Sequence, residues 1–126
     1  MGVRQPADIS AAFGTAFNNR DKKALLSLYA ENAVLTVDGS EVARGKAEIE
    51  AMVGPFFESP LKMAIKTGSC LQHADTALVR SDWTLTAPDG AVAMAGSSAE
   101  ILRHGPDGLW RFVIDDATFV TRTAKA

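Results

Sequence analysis

The chain changes its hydrophobic rhythm halfway along. Up to Phe57 the apolar residues recur every three or four positions, and from Leu61 onward they alternate every second one. The first rhythm is that of helices with one buried face, the second that of strands. Ile9, Ala12, Phe13, Ala16 and Phe17 form one stripe of a helix opened by Pro6 or Asp8 and ended by Asn18-Asn19. Asp21 caps a short second helix carrying Leu25, Leu26, Leu28 and Tyr29. Residues 33–37 read as a short strand closed by Asp38-Gly39. After Gly45, the positions Ile49, Met52, Val53, Phe56 and Phe57 predict a third amphipathic helix over 46–57, stopped by Pro60.

In the second half, residues 61–73 place Leu61, Met63, Ile65, Thr67, Ser69 and Leu71 on one face. Turn signals at Ala74-Asp75, Pro88-Asp89-Gly90 and Pro106-Asp107-Gly108 separate this run from three more, 76–87, 91–104 and 109–120. Four runs joined by tight turns predict an antiparallel meander. Each run has about twelve residues, roughly 40 Å if extended, so the strands must twist and bend. The expected class is α+β: three N-terminal helices packed in the hollow of a strongly curved antiparallel sheet, in the order α-α-β-α-β-β-β-β. A single domain over residues 1–126 is expected, ordered from about 8 to 120, with a loose tail from Thr121 to Ala126.

Composition alters this picture little. Thirteen basic against fifteen acidic residues give a net charge of −2, so a nucleic-acid partner is not expected. No run is long and apolar enough for a membrane span, and the N-terminus lacks the apolar stretch of a signal peptide. A single cysteine, Cys70, fits a reducing compartment, and a cytoplasmic location is the expectation. Cys70 has no basic neighbour in sequence and reads as a small buried thiol. His73 and His104 stand beside turns without ligand spacing, so no metal is expected, and no phosphate loop, dinucleotide fingerprint or nucleophile elbow calls for a cofactor.

The candidate chemistry lies in carboxylates. The last run, LWRFVIDDATFV, ends its apolar stretch in Asp115 and Asp116. Adjacent strand residues face opposite sides, so one of the two looks toward whatever the sheet covers. There it is capped by a partner or lines a pocket. Parity gives two sets, Trp110-Phe112-Ile114-Asp116 or Arg111-Val113-Asp115-Ala117, and apolarity favours the first as the inner one. The competing reading has both aspartates at the strand end, hydrated or paired with Arg80 or Arg111. Glu100 lies in the apolar run AMAGSSAEIL, on the same face as Met94, Gly96, Ser98 and Leu102. A surface or interface carboxylate, paired with Arg103, is the favoured reading for it. Trp110 reads as core, Trp83 as pocket or interface, and Tyr29 as a hydroxyl at a pocket wall.

The element order, the segment FNNRDKKALLSLYAENAVLTVDG, the Gly45-Lys46 start of the third helix and the closing DGLWRFVID resemble the nuclear transport factor 2-like superfamily. The chain looks closest to its SnoaL-like and SgcJ/EcaC-type branch. The resemblance spans roughly residues 8–120 and implies a conical pocket between helices and sheet. It puts the Asp115 set inward, against apolarity, and matches Glu100 to the protonated acid of the steroid isomerases of that superfamily. Their oxyanion-hole tyrosine falls on Phe13 and their base on Val37, with Asp38 one residue out of register, so that mechanism is not expected. The resemblance implies a small apolar molecule as ligand, with Tyr29, Trp83, Phe13, Phe17, Phe56 and Ser98 around it. It leaves open proton-transfer chemistry by Asp115, Asp116 and Glu100 or a binding or assembly module without chemistry. It also implies a homodimer through the outer sheet face, where Ala95, Ser97, Ala99 and Ile101 or their opposite-parity neighbours lie.

Overall fold

A computed structural model describes residues 2–124. Pro6–Asp8 form a single 3-10 turn that runs into α1 (Ile9–Asn18), and Ile9, Ser10, Ala16 and Phe17 are its buried side. The Asp21 carboxylate accepts from the Ala24 N–H at 3.0 Å and starts α2 (Lys22–Ser27). This helix stops before Tyr29, which the apolar spacing assigned to it. Tyr29 instead begins β1 (Tyr29–Thr36), where the Leu28 carbonyl has already been taken by the Phe112 N–H at 2.8 Å. A two-residue strand β2 (Ala43–Arg44) pairs with β1 and leads into α3 (Gly45–Phe57).

The four later runs are present, with two changes. After β3 (Lys62–His73) and β4 (Thr76–Thr86), the third run is interrupted at Ser98 into β5 (Val92–Ser97) and β6 (Ala99–His104). Asp82 faces Ser97 and Val79 faces Glu100, so both pieces keep one register against β4. The last run, β7 (Trp110–Asp116), ends four residues early, and Phe119–Thr123 form a short helix, α4. Part of the tail expected to be loose is therefore helical; residues 125 and 126 lie outside the described residues.

The sheet runs β2-β1-β7-β6-β4-β3, with β5 continuing along β4. It is not wholly antiparallel, because β1 and β7 run parallel, joined by the rest of the domain. The α+β class holds: helices cover one face of the curved sheet. Gly14 lets α1 sit low on β3, since a Cβ there would come 2.6 Å from Ile65 Cγ2. Residues from both layers, among them Ile9, Leu25, Ile49, Leu102 and Phe112, are buried between helices and sheet.

Bulges at Gly68 and Val113 break the alternation that the sequence implied. In β3 the partner of Thr67 is Ser81 and that of Ser69 is Arg80, so Gly68 is an extra residue. Met63, Ile65 and Thr67 face the helices, whereas Leu71, expected beside them, is turned to the outer face and is 69% exposed. In β7, Leu102 faces Phe112 and Ile101 faces Ile114, which leaves Val113 as the extra residue. Among the described residues no helix is long and apolar enough to cross a membrane.

Candidate functional site

The bulge at Val113 decides the face of each aspartate. Before it, Trp110 and Phe112 point inward, as apolarity favoured; after it, Ile114 turns out and Asp115 turns in. Each parity set was half right, because the strand changes phase in its middle. Asp116 faces outward and pairs with the Arg122 guanidinium, not with Arg80 or Arg111, which bind Asp82 and Asp107. Asp116 therefore does not line the inner cavity.

Asp115 is buried and accepts a hydrogen bond from the Tyr29 hydroxyl at 2.6 Å. That bond needs both the early start of β1 and the bulge of β7. Directly across the ladder from Asp115 stands Glu100, also buried. The surface position and the Arg103 pairing expected for Glu100 are thus corrected. Its carboxyl is met by the Ser81 hydroxyl at 3.0 Å and by the Ser98 hydroxyl. Ser98 also accepts from the Ser81 N–H at 2.9 Å, so the interruption of the strand places this hydroxyl where a backbone carbonyl would otherwise be.

Two carboxyls side by side, with no basic residue lining the space around them, cannot both be charged cheaply. Burial pushes the Glu100 carboxyl up to about 8, and the Asp115 charge adds to the rise against the opposing pull of the two serine hydroxyls. Burial likewise pushes Asp115 up to about 7, with the Tyr29 hydrogen bond opposing and the Asp116 charge adding. The Tyr29 hydroxyl is driven well above its ordinary value, by burial first and by Asp115 second. Near neutrality the two carboxyls are therefore not both charged.

The pair forms the polar floor of a cavity of about 80 Å³ between the helices and the sheet. Its walls are apolar: Phe13 and Phe17 from α1, Phe56 from α3, Met63 from β3, Trp83 from β4 and Phe112 from β7. The Trp83 indole N–H is tied to the Ala117 carbonyl at 2.8 Å, which fixes the ring at the wall. The expected ligand-facing set Tyr29, Trp83, Phe13, Phe17, Phe56 and Ser98 thus borders one space, together with Val37. Trp110 is core, stacked under His104 at 4.9 Å. Cys70, read as buried, is exposed: it stands opposite inward-facing Val79, near the end of the edge strand β3. No cluster of three or more metal-ligating side chains occurs among the described residues.

Sequence reasoning missed Ser10 and Ser81. Both are 1% exposed, and their hydroxyls lie 2.6 Å apart. The signal was present: each is a polar residue in the buried phase of an otherwise apolar row, Ser10 beside Phe13 and Phe17, Ser81 between Val79 and Trp83.

No curated protein matches the chain in sequence. Among solved structures, a ketosteroid isomerase-like protein from Erwinia carotovora atroseptica is 30% identical, over 86% of this chain and 88% of that one, with a TM-score of 0.67. An NTF2-like protein with a cystatin-like fold from Novosphingobium aromaticivorans is 20% identical over 95% and 82%, with a TM-score of 0.80. A cystatin-like protein of unknown function from Nostoc punctiforme is 16% identical over 88% and 85%, with a TM-score of 0.78. The SnoaL-like domain family matches residues 10–113, from the second residue of α1 to the bulge of β7. On that match, the chain belongs to the SnoaL-like domain family of the nuclear transport factor 2-like superfamily.

Proposed function

We propose that the domain binds a small apolar molecule in its inner cavity and moves a proton on it, with Asp115 as the group that touches the ligand. The observation that carries this reading is the Glu100–Asp115 pair, two buried acids on neighbouring strands at the floor of an apolar space. Asp115 Oδ2 is held by Tyr29, and among the described residues no hydrogen bond reaches Oδ1, so that oxygen keeps its lone pairs for a ligand. Both Glu100 oxygens are already occupied. Glu100, one strand away, acts on Asp115 through its charge, which sets how readily Asp115 takes or gives a proton. The chemistry differs from that of the steroid isomerases: Phe13 and Val37 line the cavity where that mechanism needs a hydroxyl and a base.

The cavity is small against the roughly 300–1,000 Å³ of typical ligand pockets. The ligand is therefore compact, or Met63 and Met94 swing aside, as flexible thioethers do. The same small volume favours a second reading, a binding module without turnover. A thermal-shift screen against neutral and charged apolar metabolites finds the ligand, because anything bound only to the folded state raises the midpoint. Turnover of that ligand, lost in Asp115→Asn and Glu100→Gln, supports proton transfer. Binding without product over long incubation supports the module.

The reading includes a homodimer. On the outer face Leu71, Leu78, Ile101 and Ile114 are direct cross-strand partners, one aliphatic row over four strands. Leu71, Leu78 and Ile114 are 69%, 48% and 49% exposed, and a second copy laid on this row would bury them. Sedimentation of Leu78→Glu against the unmodified chain tests this: a monomer is expected, and an unchanged dimer would overturn it. A cytoplasmic location belongs to the same reading, supported by the free, exposed thiol of Cys70.

A further inference from the structure

Behind Glu100 the buried hydroxyls form a chain that the proton-transfer reading does not use. Thr67 Oγ1 lies 3.1 Å from Ser10 Oγ, Ser10 Oγ lies 2.6 Å from Ser81 Oγ, and Ser81 Oγ lies 3.0 Å from Glu100 Oε1. The members come from β3, α1, β4 and β6, so the chain crosses the layer between helix and sheet. Its inner links are fully buried, while Thr67 is half-buried on the edge strand, in phase with Met63 and Ile65 and just before the Gly68 bulge. There its hydroxyl also reaches the Ala7 carbonyl at 2.6 Å.

Satisfying Glu100 does not require all of this. Ser98 and Ser81 already meet its two oxygens. Ser10 touches no carboxylate, and its hydroxyl is buried only against the Ser81 and Thr67 hydroxyls. A buried hydroxyl in an apolar stripe is unfavourable unless bonded, and an alanine there would need no partner. Toward the cavity, aromatic and Met side chains wall the site, and a bound ligand would occupy the space in front of the acids. The titratable groups that share the floor with Glu100 are Asp115 from β7 and Tyr29 from β1, neither of which opens to the outside.

We propose that Thr67, Ser10 and Ser81 conduct protons between Glu100 and solvent at the β3 edge, a back route that stays open when a ligand fills the cavity. A hydronium ion gives its proton to Thr67 Oγ1 as Thr67 passes its own to Ser10, Ser10 to Ser81, and Ser81 to the Glu100 carboxylate. Each hydroxyl oxygen breaks one O–H bond and forms another, so the net change is one proton moved from solvent to Glu100. The hydroxyls then rotate to reset, the Thr67 O–H turning between Ser10 Oγ and the Ala7 carbonyl, both of which its oxygen already reaches. The purpose of this route rests on the proton-transfer reading; its existence does not.

The test uses the intact chain without ligand. Carboxyl ¹³C exchange spectroscopy near pH 8, where Glu100 titrates, reads both its midpoint and its rate of proton exchange. Thr67→Val keeps the side-chain shape and touches neither carboxyl. It is expected to leave the midpoint in place and slow exchange roughly tenfold or more. Thr67→Ser restores the rate, and Ser10→Ala slows it as Thr67→Val does. A purely structural role for the hydroxyls predicts no change of rate in folded Thr67→Val, and that result overturns the proposal. Slowed exchange together with undiminished turnover in Asp115→Asn would keep the route and discard the proton-transfer reading.

Discussion

Asp115 and Asp116 are adjacent in the chain and opposite in circumstance. Asp115 is 5% exposed, has no countercharge, is held by one phenol and titrates near neutrality. Asp116 sits on the outer side of the same strand, paired with Arg122 and accepting from the Thr118 N–H at 3.2 Å. The first carboxyl is tolerated by giving up its charge, the second by pairing it. The two faces of the sheet repeat the contrast. The inner face gathers aromatic rings around acids, and its ladder is broken near them at Gly68, Ser98 and Val113. The outer face carries an unbroken aliphatic row. The same bulges serve both faces: the one at Val113 turns Asp115 inward and Ile114 outward, and the one at Gly68 turns Leu71 into the outer row.

The largest test of this contrast compares Phe112 with Ile114, two positions apart in β7. Phe112→Ala is expected to cost about 3–5 kcal/mol in urea unfolding. Ile114→Ala should change the stability of the dilute monomer by no more than about 0.5 kcal/mol. Equal costs would mean that the faces are misassigned. Next comes the pH dependence of stability. Glu100 and Asp115 bind protons more tightly folded than unfolded, so their contribution is fully present below the unfolded values near 4. It is lost as pH climbs through about 7 to 8. The unmodified chain should lose stability over that window, on the order of a few kcal/mol, and Glu100→Gln with Asp115→Asn should flatten the slope. A slope that survives the double change would place the titration elsewhere. Tyr29→Phe removes the donor to Asp115, with an expected cost of about 1–3 kcal/mol and a further upward shift of the Asp115 titration by NMR. The smallest effect is on the outside: Asp116→Asn should cost less than about 1 kcal/mol.

Much of this arrangement was legible in the residues. The stripe from Ile9 to Phe17, the Asp21 cap and the turns are local patterns, and the structure keeps them. The same holds for the shared face of Glu100, Ser98 and Leu102, though not for the side to which it turns. The misses share a cause. A bulge is specified by what the partner strands require, so the phase change at Val113 and the outward turn of Leu71 leave no mark on local alternation. Tyr29 follows a helical spacing, yet its backbone is claimed by β7 and its hydroxyl by Asp115, contacts 83 and 86 residues away along the chain. Glu100 was assigned to the surface because its partners are two serines and an aspartate, none of them a visible countercharge.

Val113 marks a division of labour within one strand. Ahead of it the strand supplies core and wall, Trp110 and Phe112; behind it the strand delivers an acid, Asp115. In plain alternation the same residues would turn Ile114 inward and Asp115 outward. One extra residue decides whether the floor of the cavity ends in an aliphatic side chain or in an acid.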